Sequence, residues 1–423
     1  MNNVTVYRFS DLFEKIVDNR GKTVPTEDSG MPLIATNCIK NDSLYPVYEN
    51  VRFISDETYK TWFRGHPEPN DLIFVLKGSP GRVCIAPDPV DFCIAQDMVA
   101  LRPDDTKVYW KFLFALLRSS EMQSKIGNMH VGTLIPHFKK GDFDNLYLSI
   151  PDRKTQEFIG DLYFLISSKI ELNRATNATL EALAQTLFKS WFVDFDIVKA
   201  KALGLEPKGV DASTAALFPS AFVSSSMGEI PEGWEIRGID SIADFLNGLA
   251  MQKYPPKSNL SLPVIKIAQL RKGDTVGADR ASTELPEDYI IQDGDVLFSW
   301  SGSLEVVMWT GGIGALNQHL FKVTSQEYPK WFYYLWTLEH LAEFRHIAES
   351  KATTMGHIQR KHLSQARVNV PPREILDKLG AILEPLVENM YLNNLESKRL
   401  TTTRDSLLPK LLSGEIEVGD III

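Results

Sequence analysis

The chain has 423 residues with a formal net charge of −9, and 44% of them are hydrophobic, 10% aromatic and 23% charged. These are globular values, which exclude a disordered chain and a protein that coats nucleic acid by bulk charge, and the length suits two or more domains of about 100 to 200 residues. Cys38, Cys84 and Cys93 form no CxxC pair, so zinc and disulfide frameworks give way to reduced thiols in a soluble cytoplasmic protein, an expectation that also follows from the lack of a leader pattern or long apolar run.

Taken in chain order, "DLIFVL" (71–76) and "RVCIA" (82–86) are β-branched and aromatic runs bounded by turn residues, and "YWKFLFALLRSSEMQSKI" (109–126) has the apolar spacing of a helix. After Pro151 comes a stretch with Gly160 as its only glycine and no proline, Asp152 to Phe192. Its heptad row Ile159, Ile166, Asn173, Leu180, Leu187 predicts a helix of about 38 residues, roughly 57 Å long. A small, polar, Ala/Ser-biased segment (209–228) then leads into "EIPEGWEI", where a new region begins. There "DVLFSW" (295–300) reads as a strand and "KWFYYLWTLEHLAEFRHI" (330–347) as helix. A second long helix is expected from Arg373 to Leu412, with the row Leu379, Leu386, Asn393, Leu400, Leu407. Pro385 stands where the first helix has Leu165 and should kink the early turns, and Pro409 marks a frayed end.

The second half repeats the first. At an offset of 220, Thr133 pairs with Thr353, His137 with His357, Pro151 with Pro371, Asn173 with Asn393 and Leu187 with Leu407. Upstream the offset drifts, with "NDLIFVLKGS" resembling "GDVLFSWSGS". The expected architecture is α+β: two pseudo-repeated globular regions, 1–150 and 229–370, and two long antiparallel coiled-coil helices, in 151–210 and 371–423, with a linker at 211–228. An amide in the middle of each apolar row suits a register device, in which Asn173 hydrogen-bonds Asn393 inside the seam. Antiparallel helices would give each globular region one end of a rod. Such a ruler suits a target with two separated, equivalent subsites, as DNA offers once per turn of about 34 Å.

At this point the residues resemble a known family. "LAQTLFKSWFVDFDIVKAKALG" (183–204) is similar to the central conserved region of the DNA specificity subunits of Type I restriction-modification systems. "GEIPEGWEI" (228–236) looks like the usual opening of their second target-recognition domain, and "LLPKLLSGEIEV" (407–418) like their C-terminal conserved region. The first region departs from the pattern in lacking a PEGW opening. The resemblance implies a non-catalytic subunit in which each recognition domain reads one half of a bipartite DNA site. It also implies that the helices dock two methyltransferase (modification) subunits carrying S-adenosylmethionine, joined by restriction subunits that consume ATP with Mg. No cofactor is expected in this chain.

The residues agree that catalysis is foreign to the chain. There is no GxxxxGK[ST] loop, "TGGIGAL" lacks GxGxxG spacing, neither "YPPK" nor "VPPR" has the polar residue before Pro-Pro-aromatic that an adenine methyltransferase would need, and "SWSGS" lacks a nucleophile elbow's glycines. Rival classes are a self-contained methyltransferase or nuclease and a coiled-coil scaffold whose heads bind proteins.

Three sets of residues are candidates for DNA contact. Matched loops free of acids carry Thr133, His137, Lys139 and Lys140, and Thr353, Thr354, His357, Arg360 and Lys361, types suited to phosphates and base edges. A second set follows the strands: Lys77, Ser79 and Arg82, and Ser301 and Ser303; plain hairpin turns would use the same residues. Gln96 and Gln318, with His319, form a third, since Gln can read adenine bidentately. Trp191, Phe192 and Phe195 either pack on the second region or leave an apolar patch for a partner to dock.

Overall fold

The computed structural model describes residues 4–19, 21, 23–129, 136–225, 228–350 and 356–416. The chain forms two compact units, Met1–Asn173 with Glu396–Ile423, and Arg174–Leu395.

In the first unit an antiparallel sheet has the order Phe13–Asp18, Met98–Pro103, Leu72–Val75, Val83–Ile85. A second sheet, Arg52–Ile54, Met31–Ile34, Cys93–Ile94, pairs its last two strands in parallel. Leu72–Val75 is apolar at every position because both of its faces are covered. Leu72 and Phe74 join one core cluster and Ile73 and Val75 another.

The second unit repeats this plan. Asp244–Asn247, Leu320–Thr324, Val296–Ser299 and Val306–Met308 form the antiparallel sheet, and Leu262–Ile265 runs parallel to Gly314–Leu316 in the other. Again Val296 and Phe298 face one cluster while Leu297 faces another. A short ladder closes each unit, Thr5–Arg8 with Tyr147–Ile150 and Glu235–Gly238 with Arg367–Val370.

Each expected helix before the long ones is divided in two. Trp110–Arg118 and Ser120–Asn128 are separated by Ser119, whose backbone is extended and whose hydroxyl accepts from Met122 N–H at 3.3 Å, starting a new helix. Lys330–Glu339 and Leu341–Ser350 meet at His340.

The first long helix spans Arg153–Phe188. Asp152 starts it, taking the Thr155 N–H at 3.1 Å and the Thr155 hydroxyl at 2.8 Å. A π-turn, Lys189–Val193, and a left-handed Phe195 (φ 55°) then end it. The second spans Arg373–Ser413 as one element, running through Pro385 and past Pro409. Pro385 lies on the exposed face, as Leu165 does, so water can satisfy the carbonyl whose hydrogen bond it removes. Within each unit the two helices run antiparallel. In the first, Ile159 and Tyr163 pack with Leu408 and Leu411, and Arg404 donates to Ser167 Oγ at 3.2 Å. In the second, Ala184 and Phe188 join Leu379 and Leu383.

Candidate nucleic-acid interface

In each unit the central strand of the antiparallel sheet runs on into a turn, and that turn is stitched to two other segments. In the first unit Phe138 N–H donates to Leu76 carbonyl at 2.7 Å, Gly78 N–H to Pro136 carbonyl at 3.0 Å, and Leu76 N–H to Asp97 carbonyl at 2.9 Å. In the second, Ile358 N–H donates to Trp300 carbonyl at 3.0 Å, Gly302 N–H to Gly356 carbonyl at 2.9 Å, and Trp300 N–H to His319 carbonyl at 3.3 Å. The same three bonds thus build the same junction twice. Isolated bridges at its centre, Lys77 with His137 and Ser301 with His357, join the residues that the repeat aligns. Gly78 and Gly302 both take positive φ, 86° and 66°, which lets the chain reverse while its N–H reaches the second segment.

The three sets read from the sequence therefore converge on one place in each unit. Lys77, Lys139, Lys140 and Gln96 are exposed there, and Ser79, Arg82 and His137 are half-buried. In the second unit Ser303, Arg360 and Lys361 are exposed, His357, Gln318 and His319 are half-buried, and Ser301 is buried. Thr133, Thr353 and Thr354 lie outside the described residues. Not every cation is free to reach a ligand: Arg360 donates to the Phe245 carbonyl at 3.2 Å and sits over the Phe321 ring. The first loop is also less basic than its own residues suggest, because Asp142 follows it and takes the Lys139 backbone N–H at 2.7 Å.

Each junction stands on a charged or polar brace. Asp71, 1% exposed, accepts from Arg102 Nε at 2.9 Å and Nη2 at 3.0 Å and from Glu68 N–H at 2.8 Å. That bidentate hydrogen bond raises the Arg102 pKa. In the matched place Asp295 accepts from Gln292 N–H at 2.8 Å and pairs with Lys322 at 3.0 Å. Arg118 is buried below the first turn and donates to the carbonyls of Val83, Lys40 and Ser43; burial lowers its pKa.

Several contributors escaped the sequence reading. Asp97 was passed over, although it aligns with His319 at an offset of 222. Trp300 and Asn247 were missed too; the indole Nε1 donates to Asn247 Oδ1 at 2.9 Å and holds the second turn.

The two amides of the apolar rows are engaged in their own units. Asn173, buried in the helix seam of the first unit, donates to Glu396 Oε2 at 2.8 Å and Ser397 Oγ at 3.2 Å. Asn393, in the second unit, donates to Asn177 Oδ1 at 2.9 Å, and Asn177 in turn donates to Asn394 Oδ1 at 2.8 Å. Each amide thus has polar partners on the facing helix of its own unit, Glu396 and Ser397 for Asn173 and Asn177 for Asn393.

Of the two uses open to the aromatic trio, packing on the second region is the one found, and the docking patch is not. Trp191, Phe192 and Phe195 are 4%, 0% and 8% exposed, and all three belong to the core of the second unit. Phe192 packs on Trp234, Trp331 and Phe332, Phe195 on Trp234, and Trp191 on Phe218. None is left to dock a partner. The π-turn and the left-handed Phe195 turn all three inward.

Among the described residues no group of three or more His, Cys, Asp or Glu could hold a metal ion, and no helix is long and apolar enough to cross a membrane.

The chain is thus a duplicated α+β module with two long paired helices and one junction in each copy. The family described as Type I restriction modification DNA specificity domain matches residues 1–182 and 231–402. A Type I restriction enzyme HindI specificity subunit from Haemophilus influenzae is 26% identical, covering 89% of this chain and 92% of that protein. A MjaIX specificity subunit from Methanocaldococcus jannaschii is 24% identical over 84% of this chain and 79% of its own. The crystal structure of a Type I restriction-modification S subunit from M. genitalium shares the fold, with a TM-score of 0.54 at 14% identity, over 97% of this chain and 96% of that one. The chain belongs to the Type I restriction-modification DNA specificity family. DNA sequence recognition within such a complex is its function, and DNA and the other subunits of the complex are its partners.

Proposed function

We propose that each unit reads one half of a bipartite DNA target through its junction, and that the chain itself carries out no chemistry. The observation that carries this reading is the duplication of the junction, bond for bond, at the surface where Lys77, Gln96, Lys139 and Lys140 gather in one unit and Gln318, His319, Arg360 and Lys361 in the other. Lysines and arginines there would hold phosphates and set the position of the domain, while Gln, His and Ser would meet base edges. An overall charge of −9 leaves binding to depend on these local groups.

The paired helices would dock two modification subunits, which bring S-adenosylmethionine and the methyl-transfer chemistry; restriction subunits would add ATP- and Mg-dependent cleavage. The working compartment on this reading is the cytoplasm. The test is selection from random duplexes by the chain assembled with its modification subunits. Two specific blocks separated by an indifferent spacer support the reading; a single continuous block, or methyl transfer by the purified chain alone, would overturn it.

A further inference from the structure

The second junction contains a side-chain relay. His319 Nδ1 lies 3.0 Å from the hydroxyl of Ser301, and His319 Nε2 lies 3.3 Å from Gln318 Nε2. With the Gln318 amide nitrogen turned toward the ring, as placed here, the facing ring nitrogen is the acceptor. That places the ring proton on Nδ1 and makes Ser301 Oγ its acceptor. Ser301 is buried, so the far end of the relay is anchored. The ring has further supports: His319 N–H donates to the buried Asn317 at 3.3 Å, and Trp300 stands 5.9 Å away, itself tied to Asn247.

One N–H of Gln318 is engaged in this relay, which among the described residues leaves one N–H and the Oε1 acceptor. A donor and an acceptor side by side are the complement of adenine in the major groove, whose N7 accepts and whose N6 donates. A free glutamine would have to give up rotamer freedom on binding; here the contact with the ring already holds the amide in place. We propose that His319, held by Ser301, is a positioning residue that aims the Gln318 amide at an adenine in the half-site read by the second unit. The proposal rests on reading the junction as the DNA-recognition surface.

The first unit lacks the means to copy the device. Gln96 is exposed, Asp97 stands where His319 does, and Lys77 stands where Ser301 does. Aspartate only accepts and lysine only donates, so the relay, which needs a ring that accepts from the amide at one nitrogen and donates to a hydroxyl at the other, is not repeated. The two halves of the target are accordingly read by different chemistry at matched positions.

Base preference of the full chain, assembled with its modification subunits, is the readout. Gln318→Ala should relax discrimination at one base pair of one half-site by roughly ten- to a hundredfold, and Gln318→Glu should move the preference there from adenine to cytosine. His319→Ala and Ser301→Ala should relax the same position and no other, leaving the salt dependence of binding unchanged, and Ser301→Thr, which keeps the hydroxyl, should retain discrimination. If Gln318→Ala changes no position, the junction does not read bases and the proposal falls with that reading. If Gln318→Ala relaxes one position while His319→Ala and Ser301→Ala leave it intact, DNA reading stands and the positioning role is overturned. Equal loss of binding to every sequence in the His319 and Ser301 variants would also overturn it, since it would mark those residues as structural only.

Discussion

Gly160 presses its bare Cα against the backbone of Phe112: a Cβ added there would lie 2.5 Å from the Phe112 nitrogen and 2.9 Å from the Lys111 carbonyl carbon. The repeat places Gly380 at the same point of the second long helix, where the nearest atom is the Trp331 Nε1 side-chain nitrogen at 3.0 Å. Backbone cannot yield as an indole can. Gly160→Ala should therefore destabilise by about 1 to 3 kcal/mol, overriding a helix-propensity gain of about 1 kcal/mol, whereas Gly380→Ala should come out near neutral. Denaturant midpoints of the two variants check this; equal midpoints would contradict it.

The amides of the helix seam give a coupling prediction. Asn393 and Asn177 share a hydrogen bond of 2.9 Å, so a double-mutant cycle with alanine at both positions should show a coupling of about 0.5 to 1.5 kcal/mol. Additive single and double variants would show that the bond contributes nothing.

Glu396 supplies a pH dependence with a definite sign. Its carboxylate accepts from Asn173 and then pairs with Lys169 at 3.1 Å, and these partners hold its pKa below the usual glutamate range. The unfolded chain thus takes up this proton at higher pH than the folded one. The resulting stabilisation is full above the ordinary glutamate value and is lost as pH falls through the depressed one. Asn173→Ala should move the Glu396 midpoint upward, as read by carboxyl-carbon NMR; an unmoved midpoint would show that the amide does not bond the charged form.

The brace under the first junction is deeper than that under the second. Removing Asp71 leaves Arg102 with Glu68 alone, on a salt bridge of 2.9 Å at the surface. Asp71→Ala should destabilise by about 3 kcal/mol. Asp295→Ala should cost less, because Asp295 is 21% exposed where Asp71 is 2% by side chain. Thermal or urea unfolding ranks the two, and the reverse order would contradict the burial argument.

Lys139, Lys140 and Lys361 are exposed and suited to phosphate, whereas Arg360 is tied to Phe245. Replacing the three lysines singly should each reduce the slope of log K against log salt by about 0.9, and Arg360→Ala should reduce it less while loosening the turn. Slopes that do not change in any variant would remove these loops from the interface.

Much of this molecule was readable beforehand, because the repeat and the heptads are periodic signals that do not depend on remote contacts. The second long helix begins at the expected Arg373 and ends one residue beyond the expected Leu412. The three sets of candidate residues could be named separately. Their convergence could not be read, since it depends on hydrogen bonds between segments about 20 to 60 residues apart, such as Leu76 with Asp97 and Phe138. Local conformational choices were hidden for other reasons. Ser119 looks like one more small residue in a helical run until its hydroxyl caps the next helix. Trp191, Phe192 and Phe195 looked available because helix periodicity says nothing of a π-turn that redirects them. The amides stand out in the sequence by symmetry alone, whereas their partners Ser397 and Asn177 sit in no periodic row and emerge only from packing.

The central claim is that each junction reads its own half of the target. The direct measurement is base preference from random duplexes for three forms of the assembled complex: unaltered, with Lys77→Ala and Gln96→Ala in the first junction, and with Gln318→Ala in the second. The account predicts that each alteration degrades one block of the selected sequence and leaves the other block and the spacer intact. Both blocks changing together, or neither changing, would contradict it.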